Sequence, residues 1–291
     1  MRTLLVLATV IIVLAAIAAA CSSDTKTDSQ AVFPIAGNSE LVVGANRFGV
    51  GLIDEDNRPV LGDAGTKVHL RFLLNDEVRT EQDAIFVWAI PDVNGFWTAD
   101  VDFDQAGNWS LETDLVRAGE ELDVQALPFA VLAQSQYPNV GDGAPPSENL
   151  TLATEPNIKK ISTDPNPDTA FYQMTITQAL AAGKPFVVTF ATPAFCQTRF
   201  CGPVVDNVKA VRPQFADEVN FIHIEPFVLT DEGQLVEGPG GGPAVAAPMD
   251  EWRLLTEPWV FVVDADGRIA SRFEGAASTE ELTAAIEAVL S

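Results

Sequence analysis

Basic residues are scarce in this sequence. Lysine and arginine together number 17, against 41 aspartates and glutamates, which gives a formal net charge of −24. A chain with this charge repels nucleic acid and anionic lipid headgroups, so the composition excludes a nucleic-acid-binding protein. We interpret the excess of acid as a solvated acidic surface, with a basic partner as the alternative.

Cysteine is also nearly absent, with three residues in 291. The glycine-rich run at 237–248 is followed by no Lys-Ser or Lys-Thr pair, which excludes a phosphate-binding loop of the usual kind. What chemistry the chain performs therefore depends on its three cysteines and a few neighbours.

The first 20 residues indicate a secretory signal peptide. Arg2 precedes an uncharged apolar segment, and three alanines lead to Cys21, after which a polar tract begins. The Ala-Ala-Ala-Cys ending resembles a bacterial lipoprotein box, in which the cysteine is lipidated and becomes the new N-terminus. An ordinary signal peptide or an uncleaved anchor helix is the alternative. We expect a protein that is anchored by lipid to the cell membrane, on its extracytoplasmic face.

Lipidation of Cys21 leaves Cys196 and Cys201 as a pair. An oxidising compartment allows them to form a disulfide, but it does not tell whether that bond is inert or reactive. The pair lies in "TFATPAFCQTRFCGPVVDNVKAV", between an apolar run that is typical of a strand and a run that is typical of a helix. A redox disulfide, a metal site and a structural disulfide are all compatible with this position.

The chain divides into segments by composition. Residues 21–38 are polar and aperiodic, which predicts a flexible tether. Residues 39–134 contain short apolar or alternating runs at roughly ten-residue spacing, separated by turn residues, and this pattern predicts an all-β sandwich. Residues 135–168 are rich in Pro, Asn, Asp and Ser and predict a semi-extended linker.

Residues 169–291 predict an α/β domain with a mixed sheet and flanking helices. Its elements follow the order β-α-β and then β-β-α. Gln197 to Phe200 cannot be helical if the disulfide forms, because five helical steps separate two Cα atoms by about 7.5 Å, more than a disulfide accepts. We therefore expect a loop there and a helix that begins at Gly202-Pro203.

This order of elements, with a cysteine pair after the first long strand and "TEPWVFVVDADGRI" later, resembles the thioredoxin fold over residues 170–291. The resemblance implies thiol–disulfide exchange with protein thiols or disulfides and needs no cofactor. It also implies that Pro258 is cis and lies against the disulfide. Two features depart from the family: the spacing is C-x4-C instead of C-x2-C, and the strand "KPFVVTFA" carries no buried acid.

The resemblance assigns roles within the pair. Cys196 aligns with the attacking cysteine and Cys201 with the resolving one, although Cys201 lies closer to the helix end, whose dipole stabilises a thiolate. Gly202 and Pro203 would set the helix start. Glu257, the residue before Pro258, would lie beside the sulfurs and raise the pKa of a neighbouring thiol through like charge.

Two other functions remain open from the sequence. Copper-delivering proteins of the Sco family also resemble thioredoxin and use a cysteine pair with a histidine, so Cys196, Cys201 and His223 are a candidate metal set. Their cysteine spacing is one residue shorter, and His223 lies on a predicted buried strand, "VNFIHIEPF". The second alternative is a non-catalytic interaction protein in which the disulfide is structural.

Overall fold

The computed structural model describes residues 31–291. The predicted signal peptide at 1–20 and the predicted lipidation site Cys21 lie outside these residues. Within 31–291, no helix is both long enough and apolar enough to cross a membrane.

The N-terminal part of the described chain is built of strands that pair antiparallel in two sheets. The first sheet has the order β1-β2-β6-β5; the second has the order β4-β3-β7-β8, with β9 also pairing with β7. The strands are β1 Phe33–Ala36, β2 Gly44–Ile53, β3 Thr66–Leu74, β4 Glu77–Asp83, β5 Ile85–Ile90, β6 Asn94–Phe103, β7 Gly107–Arg117, β8 Glu120–Leu122 and β9 Leu127–Val131.

The two sheets share one apolar core. In β3, Val68, Leu70 and Phe72 are buried while the residues between them are partly or fully exposed, as the two-residue period of a strand requires. Phe48 of the first sheet meets Phe72 of the second edge to face, with ring centroids 4.9 Å apart. Buried residues of both sheets therefore belong to one apolar cluster.

The C-terminal part contains a four-stranded sheet of order β11-β10-β12-β13. Only β10 and β11 are parallel; the other two pairs are antiparallel. The strands are β10 Phe186–Phe190, β11 Asn220–Ile224, β12 Trp259–Val263 and β13 Ile269–Glu274. The helices are α1 Ile158–Ile161, α2 Ile176–Ala181, α3 Cys201–Phe215, α4 Ala247–Glu251 and α5 Thr279–Leu290, with a 3₁₀ turn at Thr169–Tyr172.

Local sequence explains these elements. Every residue of β10 and β12 is buried, because helices cover both faces of the sheet. Helices α3 and α5 pack on one face, and α2 and α4 pack on the other. Thr175 begins α2 with a capping box, and Ser278 begins α5 in the same way, as its spacing to Glu281 predicts. The predicted order β-α-β followed by β-β-α is observed, with one additional helix, α4, between β11 and β12.

Helix α3 begins earlier than the sequence predicts. It starts at Cys201, so Pro203 occupies the third helical position instead of the first. This position costs no hydrogen bond, because the first N–H groups of a helix have no acceptor within it. The helix also continues through Pro213, although a proline inside a helix usually breaks or kinks it, and buries Val211 and Phe215 against the sheet.

Two segments predicted as connections are structured. Residues 33–36, assigned to the flexible tether, form β1, which pairs with β2, and the adjacent Val32 is buried. The predicted linker 135–168 lies against the C-terminal sheet, where Tyr137 packs on Trp259 with ring centroids 5.3 Å apart. Although this segment is mostly polar, a few of its apolar side chains pack into the C-terminal cores.

The two parts of the chain contact each other through apolar and charged groups. Phe96, from the β5–β6 hairpin, is buried in the same cluster as α3 and α5. Arg47 of β2 lies over the rings of Phe96 and Phe273, and its Nε is 2.7 Å from Glu281 of α5. The hairpin of the first sheet is therefore part of the core beneath α3.

Candidate functional site

Cys196 and Cys201 form a disulfide at the carboxyl end of β10, with 6.0 Å between their Cα atoms. As expected, the residues between them form a loop, in which Arg199 adopts a positive φ of 64°. The two cysteines differ in exposure: Cys201 is fully buried beneath the start of α3, whereas Cys196 is partly exposed. A thiol on a partner protein can therefore reach Cys196 and not Cys201.

The sulfur of Cys196 lies close to two hydrogen-bond donors. The backbone nitrogen of Cys201 donates to it across 3.3 Å, and the Thr198 hydroxyl oxygen is 3.2 Å away. The Cys201 nitrogen is also the first of helix α3, where unpaired N–H groups and the helix dipole favour negative charge. These donors would stabilise a thiolate on Cys196 once the disulfide opens.

Glu257 lies beside the disulfide, and Pro258 follows it in the chain. The peptide bond between them is cis, as the resemblance implies. A carboxylate oxygen of Glu257 lies within 4.8 Å of both sulfurs, so the predicted proximity of Glu257 to the cysteines is present in the structure. Burial raises the pKa of Glu257 above its ordinary value, and no hydrogen bond or ion pair from residues 31–291 counteracts that effect.

A second acid, Glu225, lies near the site, and the sequence alone did not indicate it. It follows β11 directly and is buried, with Oε2 accepting hydrogen bonds from the backbone N–H and the hydroxyl of Thr163 at 3.0 and 2.8 Å. Its Oε1 is buried and makes no hydrogen bond of normal geometry within the described chain, although the Thr192 hydroxyl is close. Burial raises the pKa of Glu225 to about 7, and the charge of Glu257 contributes in the same direction.

Glu225 is connected to the cysteine loop through Thr163. The Thr163 hydroxyl that donates to Glu225 also accepts from the backbone nitrogen of Ala194, two residues before Cys196, at 3.2 Å. A signal for this acid exists in the sequence. Parallel strands end at the same edge of a sheet, so a glutamate directly after β11 lies at the edge where β10 leads into the cysteine loop.

His223 does not reach the sulfurs. It is fully buried, and its Nε2 donates to the carbonyl oxygen of Ala191 at 2.9 Å. Nδ1 then accepts from the Tyr172 hydroxyl at 2.8 Å. Burial lowers the pKa of His223 to about 4, so the ring is neutral. Both ring nitrogens therefore already have hydrogen-bond partners. Among residues 31–291, the residue whose ligand atom lies close enough to both sulfurs to share a metal ion with them is Glu257 and not His223.

No family model and no curated protein matches this chain. Three solved structures resemble it in part. A thioredoxin-family thiol:disulfide interchange protein from Chlorobium tepidum TLS is 15% identical, with 55% of this chain covering 100% of that chain at a TM-score of 0.33. The thioredoxin-like superfamily protein SPOA0173 is 16% identical, and the match covers 50% of this chain and 97% of that chain at a TM-score of 0.34. MTB dsbF is 21% identical, and the match covers 37% of this chain and 81% of that chain at a TM-score of 0.29. Similarities of this size do not establish an activity.

Proposed function

We propose that this protein exchanges thiols and disulfides with other proteins through Cys196 and Cys201. The observation that carries the proposal is the asymmetry of the pair at the start of α3. Cys196 is accessible and receives an N–H donor at its sulfur, while Cys201 is buried directly behind it. A disulfide that serves only as a structural link does not require one accessible sulfur and one protected sulfur.

The exchange proceeds in two displacements. In the reduced protein, the Cys196 thiolate attacks a disulfide of the partner, forming a mixed disulfide and releasing one partner thiolate, which takes up a proton. Cys201 then loses its proton and attacks the sulfur of Cys196, which releases the second partner thiol and forms the Cys196–Cys201 bond. The partner gains two electrons and the pair loses two. The same steps in reverse oxidise a partner dithiol.

We further propose that this exchange takes place at the extracytoplasmic face of the cell membrane, in a thioredoxin-like domain carried by a lipoprotein. The support lies in the apolar N-terminal segment that ends in Ala-Ala-Ala-Cys21 and in the cysteine pair, which an oxidising compartment allows to form a disulfide. The N-terminal sheets, which we interpret as a β-sandwich, would hold the domain away from the lipid or bind its partners.

Trapping tests the proposed exchange. Cys201→Ser should accumulate mixed disulfides with partner proteins, because the second displacement is blocked, and these should appear on non-reducing gels and disappear on reduction. Cys196→Ser is the matched control and should accumulate none. A reduction potential of the wild type below about −300 mV, together with no adducts in Cys201→Ser, would indicate a structural disulfide and contradict the proposal.

A further inference from the structure

The carboxylate of Glu257 lies beside the two sulfurs. Glu257 is partly buried, and no hydrogen bond or ion pair from residues 31–291 stabilises its charge. Partly buried carboxylates are usually hydrogen-bonded or paired with a cation, because leaving water costs free energy that a partner recovers. A cation would supply such a partner, and the two sulfurs lie within 4.8 Å of the Glu257 carboxylate.

We propose that the reduced form of this site binds a zinc-class divalent cation through Cys196, Cys201 and Glu257. The inference rests on the proposed function only in requiring that the disulfide can be reduced. One donor atom from each residue already lies within 4.8 Å of the other two. Two thiolates and a carboxylate are ligands that Zn²⁺ accepts, and a tetrahedral site requires sulfurs about 3.7 Å apart for a Zn–S bond of about 2.3 Å. Opening the disulfide permits that separation.

The surroundings favour the charge of such a complex. Two thiolates and one carboxylate around Zn²⁺ carry a net charge of −1, and the complex would form at the N-terminal end of α3, where the helix dipole stabilises negative charge. The N–H of Cys201 that now lies 3.3 Å from the sulfur of Cys196 would act as a hydrogen bond from the outer shell. Binding releases the thiol protons and transfers no electrons.

The exposure of the three ligands determines the form of the site. Cys201 is buried, whereas Cys196 and Glu257 are partly exposed, so the fourth coordination position faces solvent. A water molecule or a group from a partner would complete it. Metal binding would occupy both sulfurs, and a zinc-bound thiolate attacks a disulfide more slowly than a free thiolate does. Zinc would thus compete directly with thiol–disulfide exchange.

Metal titration tests the inference. The protein is reduced with a phosphine, the reductant is removed without oxygen, and thiols are counted before Zn²⁺ is titrated against a chromogenic chelator. We expect two thiols and one Zn²⁺ per reduced chain, no binding by the oxidised chain, and roughly tenfold or greater loss of affinity in Glu257→Gln. Glu287→Gln, an exposed site on α5, is the matched control and should bind as the wild type does.

Other readouts separate the outcomes. Co²⁺ should give the absorption of a tetrahedral thiolate complex, and this spectrum should change in Glu257→Gln and be lost in Cys196→Ser. Copper(I), which prefers soft sulfur ligands, should bind Glu257→Gln and wild type equally. Unchanged Zn²⁺ affinity in Glu257→Gln would show that the carboxylate is not a ligand. A reduced chain with two free thiols that binds no Zn²⁺ would show that the proposed site does not exist. Failure to obtain free thiols would instead contradict the proposed exchange function.

Discussion

The backbone nitrogen of Cys201 lies 3.3 Å from the sulfur of Cys196 and donates a hydrogen bond to it. In the proposed exchange, the residue that resolves the mixed disulfide would therefore also stabilise the attacking thiolate, through its main chain. In the reduced protein we expect Cys196 to react with iodoacetamide at least about tenfold faster than the buried Cys201. Mass spectrometry after brief labelling measures both rates. Equal labelling of the two cysteines would contradict the assignment of Cys196 as the attacking residue.

Glu257→Gln should make the disulfide more oxidising. The ionised carboxylate repels thiolates at the two sulfurs and so disfavours the reduced form; removing its charge should raise the reduction potential, by on the order of 30 mV. Equilibration with glutathione at about pH 8, with a chelator present to exclude metal, measures the change. Glu287→Gln should leave the potential where it is. A potential that does not rise in Glu257→Gln would mean that the carboxylate has no electrostatic effect on the pair.

Glu225 should make the folded state less stable as pH rises. The folded pKa is about 7 and the ordinary value is 4.5, so between these values the unfolded chain has lost a proton that the folded chain retains. Protonated Glu225 contributes its full stabilisation of the folded state below about pH 4.5. This contribution, on the order of 3 kcal/mol, decreases as pH rises and is lost above about pH 7.

Glu225→Gln tests this prediction, because the amide oxygen can still accept from Thr163 and no longer ionises. Urea unfolding at about pH 5 and about pH 8 should show a smaller difference between the two pH values for the variant than for the wild type. Part of the dependence should persist, since burial raises the pKa of Glu257 as well. Identical pH dependence in both proteins would show that Glu225 is already ionised in the folded state.

Phe96→Ala should affect the disulfide from the other part of the chain. Phe96 stacks on Phe200, the residue before Cys201, with ring centroids 6.3 Å apart. Its removal should lower the free energy of unfolding by about 3 kcal/mol and speed reduction of the disulfide by a thiol reagent. Phe103→Ala is the matched control, because Phe103 is buried inside the N-terminal core: it should destabilise comparably without changing the reduction rate under native conditions. Equal reduction rates in both variants would disprove the coupling.

Cys21→Ala should release the protein from membranes or block its processing, since the predicted lipid is attached to that cysteine. Membrane fractionation of cells that express the variant measures this directly. If the variant stays in the membrane fraction with its N-terminal segment intact, an uncleaved anchor helix is the better interpretation.

Local patterns were sufficient to predict the elements of the C-terminal sheet. Runs such as "KPFVVTFA" are apolar because both faces of their strands are covered, and Ser278 and Glu281 mark a helix start that depends on neighbours only. The loop between the cysteines also follows from distance alone. The closeness of Glu257 to the sulfurs, by contrast, was predicted only through the resemblance, because nothing local relates residues so far apart in the chain.

The features that the sequence did not predict depend on contacts between distant segments. Glu225 approaches the site because β11 lies parallel to β10, and a single run such as "VNFIHIEPF" does not tell which strand will be its neighbour. The composition of residues 135–168 predicts a linker, and composition does not show that Tyr137 packs on Trp259. The start of α3 at Cys201 differs from the predicted Gly202-Pro203 because a proline at any of the first helical positions loses no intrahelical hydrogen bond.

The burial of Phe96 in the cluster beneath α3 has a consequence for how the chain unfolds. A boundary drawn between the N-terminal sheets and the cysteine-bearing part passes through a shared core, so neither part can melt without uncovering apolar surface on the other. Heating should accordingly give one calorimetric transition whose van't Hoff and calorimetric enthalpies agree. A fragment that begins after the hairpin would carry the cysteines without the aromatic ring that covers the residue before Cys201.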